Sequence, residues 1–122
     1  MERESTLLET SKVPGTPVYS MSHEEIGSVD ELVIDTTTGM VRYGIMSFGG
    51  ILGMGKSHFP IPWMSMHWNS NLGGYTTGIT ADQLKNAPSH ETASWSDRDW
   101  ETRLHAAYGA PGYWENENVI NR

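Results

Sequence analysis

Cysteine is absent from the 122 residues, which excludes disulfide staples, thiolate nucleophiles and cysteine-held zinc or iron–sulfur centres. Basic residues are scarce: eight lysines and arginines face fifteen aspartates and glutamates, giving a formal net charge of −7. They are also scattered, at Arg3, Lys12, Arg42, Lys56, Lys85, Arg98, Arg103 and Arg122. A nucleic-acid backbone or an anionic membrane surface calls for clustered positive charge, so direct binding to either is not expected. No apolar run approaches the length of a membrane span, and residues 1–9 lack the basic start and apolar stretch of a secretory signal. The expectation is a soluble cytoplasmic protein without membrane insertion. The length suits one modest core with tails.

What is present begins with a deceptive match. Gly50-Ile51-Leu52-Gly53-Met54-Gly55-Lys56-Ser57 satisfies the phosphate-cradle pattern G-x-x-x-x-G-K-[ST]. That cradle works only if a helix starts at the Lys-Ser pair and aims its free N–H groups at the phosphate. Here the chain continues His58-Phe59-Pro60-Ile61-Pro62-Trp63. The alternate prolines remove helix donors and push Phe59 and Ile61 toward extended geometry. The segment reads as a glycine-rich loop between strands.

The chain to about Ile79 has the spacing of a small all-β domain, with candidate strands at 17–19, 26–35, 40–48, 57–63, 66–69 and 74–79. Asp35-Thr36-Thr37-Thr38-Gly39 is a hairpin loop with glycine at a position that wants positive φ. On the strand that follows, Val41, Tyr43 and Ile45 share the face expected to point inward, and Arg42 and Gly44 the opposite one. Within 57–63 both prolines withhold N–H groups from the same strand edge, which predicts a border strand or one at an opening of the barrel. A turn at Met64-Ser65 is expected to return the chain as a hairpin into Met66-His67-Trp68. Thr80-Ala81-Asp82-Gln83 is a capping box for a short helix, and a second helix is expected after Ser96 as its cap, with Trp95 and Trp100 as a hydrophobic staple. Trp100, Leu104, Ala107 and Tyr108 form its apolar stripe; Gly109 and Pro111 end it.

Gly15-Thr16-Pro17-Val18-Tyr19, the segment from Ile26 to Asp35, the hairpin into Val41-Arg42-Tyr43, and the run from Ser47 through Gly55-Lys56 to Phe59-Pro60-Ile61-Pro62-Trp63 resemble the PRC-barrel family. The resemblance continues through Gly74-Tyr75 to Thr80-Ala81-Asp82-Gln83-Leu84-Lys85-Asn86-Ala87-Pro88. It implies a mainly β fold, a small six-stranded antiparallel β-barrel, here followed by two short C-terminal α-helices. The expected organisation is a flexible arm over 1–13, the barrel over 14–89, and a C-terminal helix and tail over 90–122. Such barrels occur in the cytoplasmic part of the photosynthetic reaction centre H subunit, in a ribosome maturation factor, and in small stand-alone proteins. They serve mainly as protein-binding or assembly modules, and the family offers no catalytic signature or cofactor to carry over.

His23, His58, His67, His90 and His105 form no recognised metal-ligand spacing, so no metal site is expected. The acidic residues Glu24, Glu25, Asp30, Glu31 and Asp35 read as a solvated face, and Ser47, Ser57 and Ser65 lack a nucleophile-elbow context. Tryptophan and methionine are abundant, and Ile51, Leu52 and Met54 lie on a loop where apolar side chains call for cover. The resulting expectation is a non-enzymatic protein–protein interaction module that self-associates as a homodimer through Ile51, Leu52, Met54, Phe59, Trp63 and Trp114. The alternative is a small-molecule or metal-binding barrel, with or without enzymatic activity, using Lys56, His58 and His67. A role as accessory factor in ribosome or photosystem assembly rests on family analogy alone.

Overall fold

A computed structural model describes residues 6–49 and 58–115. The alternating runs form β1 (Thr16–Tyr19), β2 (Glu25–Ile34), β3 (Val41–Phe48), β4 (Phe59–Pro62), β5 (His67–Asn69) and β6 (Gly74–Thr76), followed by helices α1 (Ala81–Asn86) and α2 (Arg98–Ala107). The β2–β3 hairpin closes as its sequence requires: the Gly39 N–H donates to the Asp35 carbonyl at 2.7 Å, and Gly39 takes φ 78°. Gly27 lets the two strands approach closely, since a Cβ there would fall on the Ser47 carbonyl oxygen.

The strands form one six-stranded sheet in the order β4-β3-β2-β1-β6-β5. It is mixed and unclosed, which corrects the expected antiparallel barrel: β1 and β6 pair in parallel, Val18 beside Tyr75. The cause lies between β4 and β5. Instead of a hairpin, Trp63–Ser65 forms a 3-10 turn in which the Met66 N–H donates to the Trp63 carbonyl at 3.0 Å. Trp63 turns its ring onto Tyr75, 5.0 Å between centroids, so the chain is carried across the sheet rather than reversed beside β4. His67 therefore stands opposite Thr76 of β6 and not opposite Pro62.

β4 is an edge strand, as its prolines dictate. Pro60 and Pro62 stand opposite Ile45 and Tyr43, leaving Phe59 and Ile61 to supply N–H groups to β3. Both faces of β3 are buried from Arg42 to Met46, so the expected outward face does not exist. A Cβ on Gly44 would lie 3.0 Å from the Trp63 ring, so that face is covered by Trp63. The Tyr43 face is covered instead by α2, which packs against β4.

Both bonds of the α1 capping box are present: the Gln83 N–H donates to Thr80 Oγ1 at 3.2 Å, and the Thr80 N–H to Gln83 Oε1 at 2.9 Å. The cap of α2 is Asp97, one residue later than expected, because its carboxylate accepts from the Asp99 N–H at 2.9 Å. Trp95 and Trp100 still pack edge to face at 5.1 Å. One apolar core runs from Val18, Val29 and Met46 of the sheet to Trp100, Leu104 and Tyr108 of the helix side. Val13, read as the end of a flexible arm, belongs to that core.

Candidate functional site

Helix α2 carries a second, polar stripe beside its apolar one. Glu101 and His105 are one turn apart and therefore share a face, and both are buried against β3. The Tyr43 hydroxyl reaches up from β3 to lie 2.7 Å from Glu101 Oε1 and 2.8 Å from His105 Nε2. Glu101 Oε1 also accepts from the Tyr113 hydroxyl at 2.9 Å, and Oε2 from Arg98 Nε at 3.3 Å. A buried carboxylate needs such a shell of donors to offset lost hydration. His105 Nδ1 lies 3.1 Å from the Pro111 carbonyl, which fixes the chain just after the helix.

A pair of arginines pins the C-terminal segment over this cluster. The Arg42 guanidinium lies 4.2 Å from the Tyr113 ring centroid, and that of Arg98 lies 4.0 Å from the Trp114 ring. Arg42 is also paired with Asp35 at 3.1 Å. The Thr37 N–H, aided by Arg42, holds the Asp35 carboxyl below its ordinary range against some desolvation. Burial and then Glu101 raise the phenol of Tyr43, and the same causes push Tyr113 up to about 12. Burial lowers the His105 imidazole despite the Pro111 carbonyl and the Glu101 carboxylate, which pull the other way.

Between the β2–β3 hairpin and α2 these residues line an open cleft of about 350 Å³. Its walls include Ile34, Asp35, Arg42, Tyr43, Trp95, Arg98, Glu101 and Tyr113. Two of its lining apolar side chains are open to solvent, Ile34 at 55% and Trp95 at 40%, and Met40, elsewhere on the same hairpin, is 56% exposed. A separate apolar hollow, lined by Leu7, Leu8, Trp68 and Tyr75, lies at the β5 edge.

The surface expected from sequence is not assembled in this way. Phe59 is 1% exposed and meets Phe48 edge to face at 5.8 Å, so it is a core residue and is corrected as a contact residue. Trp63 is half-buried between Gly44 and Tyr75. Trp114 is half-buried against His105 at 5.1 Å, on the side of the molecule that holds the cleft-lining Tyr113. Ile51, Leu52, Met54 and Lys56 lie outside the described residues. His58 is paired with Asp30 at 3.4 Å and lies near His90, whereas His67 is exposed on β5. Among the described residues no three histidine or carboxylate side chains gather as a metal-ligand set, and no helix is long and apolar enough to cross a membrane.

Sequence reasoning missed Glu101, and weighed His105 only as one of five histidines without metal-ligand spacing. The available signal was their spacing of four beside the Trp100–Leu104 stripe, which widens the buried face of α2 to include them. Compared with known protein families, residues 6–75 match the PRC-barrel domain. No curated protein matches the chain.

Proposed function

Because the chain belongs to the PRC-barrel family, we propose that it is a non-enzymatic assembly module that binds proteins and associates with a second copy of itself through the cleft between the β2–β3 hairpin and α2. The observation that carries this reading is the composition of that face. Exposed Ile34 and Trp95 line a recess with Tyr43, Tyr113, Arg42 and Arg98, and Met40 stands exposed on the same hairpin. Tyrosine, tryptophan and arginine around a recess are the residue types that dominate binding energy at protein interfaces.

The face is also preorganised. Arg42 is held by Asp35 and the Tyr113 ring, and Arg98 by Glu101 and the Trp114 ring. Side chains already fixed lose little further freedom on binding. A face that offers both protruding apolar side chains and a recess can be complementary to itself about a two-fold axis. Sedimentation velocity across a range of concentrations tests this. The wild type is expected to associate as concentration rises, and the variant with Ile34→Asp and Met40→Asp to remain a folded monomer. A wild type that stays monomeric at high concentration removes the self-association reading.

A second reading follows from the size of the recess, which lies near the lower end for small-molecule sites. Binding to the native state raises apparent stability. A thermal-shift screen with anions, divalent cations and small aromatic acids separates a ligand site from a protein-contact face.

A further inference from the structure

Trp63, Tyr75 and Trp68 run in a row toward the β5 edge. Trp63 meets Tyr75 at 5.0 Å between centroids and 65° between planes, and Tyr75 meets Trp68 at 5.1 Å and 75°. Trp68 and Tyr75 stand directly opposite each other on β5 and β6. Beside them Thr6, Leu7 and Leu8 complete an apolar hollow of about 260 Å³. Leu7 is 86% exposed and Trp68 50%, so the hollow lies open to solvent. The polar groups on its two rings are both donors. Neither the Tyr75 hydroxyl nor the Trp68 indole N–H bonds to another described residue. The indole N–H can only donate, and burial raises the Tyr75 phenol, so its hydroxyl keeps its proton.

An occupant must therefore bring apolar surface together with acceptors that are not already paired. An α-helix keeps its carbonyls in its own ladder. An added strand needs a longer template than β5, which is three residues long. The recess is also smaller than most small-molecule sites. A polyproline II segment meets the conditions: its rings are apolar and rigid, its prolines have no N–H to satisfy, and its carbonyls face outward unpaired. Aromatic-lined grooves are the surfaces that recognise such segments. Charge narrows the choice. No charged side chain lines the hollow, exposed Glu9 follows Leu8, and the chain carries a net −7, a field that favours lysine or arginine beside the prolines.

We infer that the Trp68–Tyr75 hollow is a docking site for a proline-rich segment of another protein, extended as polyproline II and flanked by basic residues, whose prolines pack on the two rings and whose carbonyls accept from the Trp68 indole N–H and the Tyr75 hydroxyl. The hollow shares no lining residue with the cleft between the β2–β3 hairpin and α2, so this site stands whether or not a second copy binds there.

The test is an NMR titration of the ¹⁵N-labelled full chain with a synthetic peptide of about ten residues, proline-rich and ending in lysines. One control peptide has its prolines replaced by alanine, the other its lysines by glutamate. Saturable shifts are expected at the Trp68 indole N–H and at the amides of Leu8, Tyr75 and Thr76, with the Trp95 indole of the cleft unmoved. The alanine peptide is expected to bind at least about tenfold more weakly, because it loses the stacking and the preset conformation. The glutamate peptide is expected to bind more weakly as well, by a margin that shrinks with added salt. Tyr75→Phe keeps the ring and removes one donor, so the proline-rich peptide should bind it roughly two- to tenfold more weakly. No shift at the Trp68 indole up to millimolar proline-rich peptide overturns the proposal, as does equal binding of the alanine peptide. Trp68 shifts produced by protein concentration alone, without peptide, assign the hollow to a second copy and overturn it too.

Discussion

Replacing Glu101 by alanine tests how α2 is held. The carboxylate is 3% exposed and receives the Tyr43 hydroxyl, the Tyr113 hydroxyl and Arg98 Nε at 2.7, 2.9 and 3.3 Å. These partners do not suffer equally when it is removed. Tyr43 can turn to His105 Nε2 at 2.8 Å, and Arg98, with its side chain about half exposed, can turn to water. The Tyr113 hydroxyl loses a charged acceptor, at a cost of about 1–2 kcal/mol, and the space vacated in the interface adds about 1–2 kcal/mol. The sum is about 2–4 kcal/mol. For a domain of this size each kcal/mol lowers Tm by roughly 4 °C, so a fall of roughly 8–16 °C is expected by calorimetry. Urea unfolding should show a lower midpoint with an unchanged slope. Glu91→Ala, at an exposed position, is the control and should leave Tm nearly where it was. If Glu101→Ala loses less than about 0.5 kcal/mol, the cluster is not what fastens α2 to β3.

Other consequences are open to simple measurement. Gly27→Ala drives a Cβ onto the Ser47 carbonyl oxygen and should destabilise the β2–β3 pairing by about 2–3 kcal/mol, read by urea unfolding. The Tyr108 hydroxyl is buried with no hydrogen-bond partner among the described residues, so Tyr108→Phe should be neutral or stabilising by up to about 1 kcal/mol in the same assay. Folding lowers the His105 pKa, so below 6.5 the unfolded chain binds more protons than the folded one. Stability should therefore fall as pH drops from 6.5 through the depressed folded value, and His105→Gln should flatten that part of the profile. Tyr43 and Tyr113 are shifted in the opposite sense, upward from 10.0, so stability should also fall as pH rises above 10.0, and Tyr43→Phe should reduce that alkaline slope.

Much of the strand pattern could be read from local chemistry because it is set locally. Gly39 closes its hairpin with positive φ, Thr80 and Gln83 exchange their capping bonds, and the proline pair marks β4 as an edge. The path from β4 to β5 was not legible in the same way. Met64-Ser65 has turn chemistry, but whether the chain reverses there depends on the Trp63 ring finding Tyr75 across the sheet. That contact is long-range, and it makes the β1–β6 pairing parallel. Phe59 was misjudged for a related reason: an edge strand suggests an exposed face, yet that ring is buried against Phe48. The candidate site was the least visible part. Glu101 and His105 read as ordinary polar residues of an amphipathic helix until Tyr43, which lies 58 residues before Glu101, gives them a buried partner. Trp114 and the apolar loop near Leu52 drew notice because tryptophan and leucine stand out in a sequence, whereas the exposure of Ile34 and Met40 depends on where the hairpin tip projects.

The central claim is that contact with a second copy is made through the hairpin and α2. The most direct measurement is a dilution series of ¹H–¹⁵N NMR spectra of the wild-type chain. Concentration-dependent shifts are expected at Ile34, Thr36, Met40 and the Trp95 indole, and to be absent when Ile34→Asp and Met40→Asp are combined. Spectra that do not change with concentration, or shifts centred instead on Leu8, Trp68 and the β5 edge, contradict it.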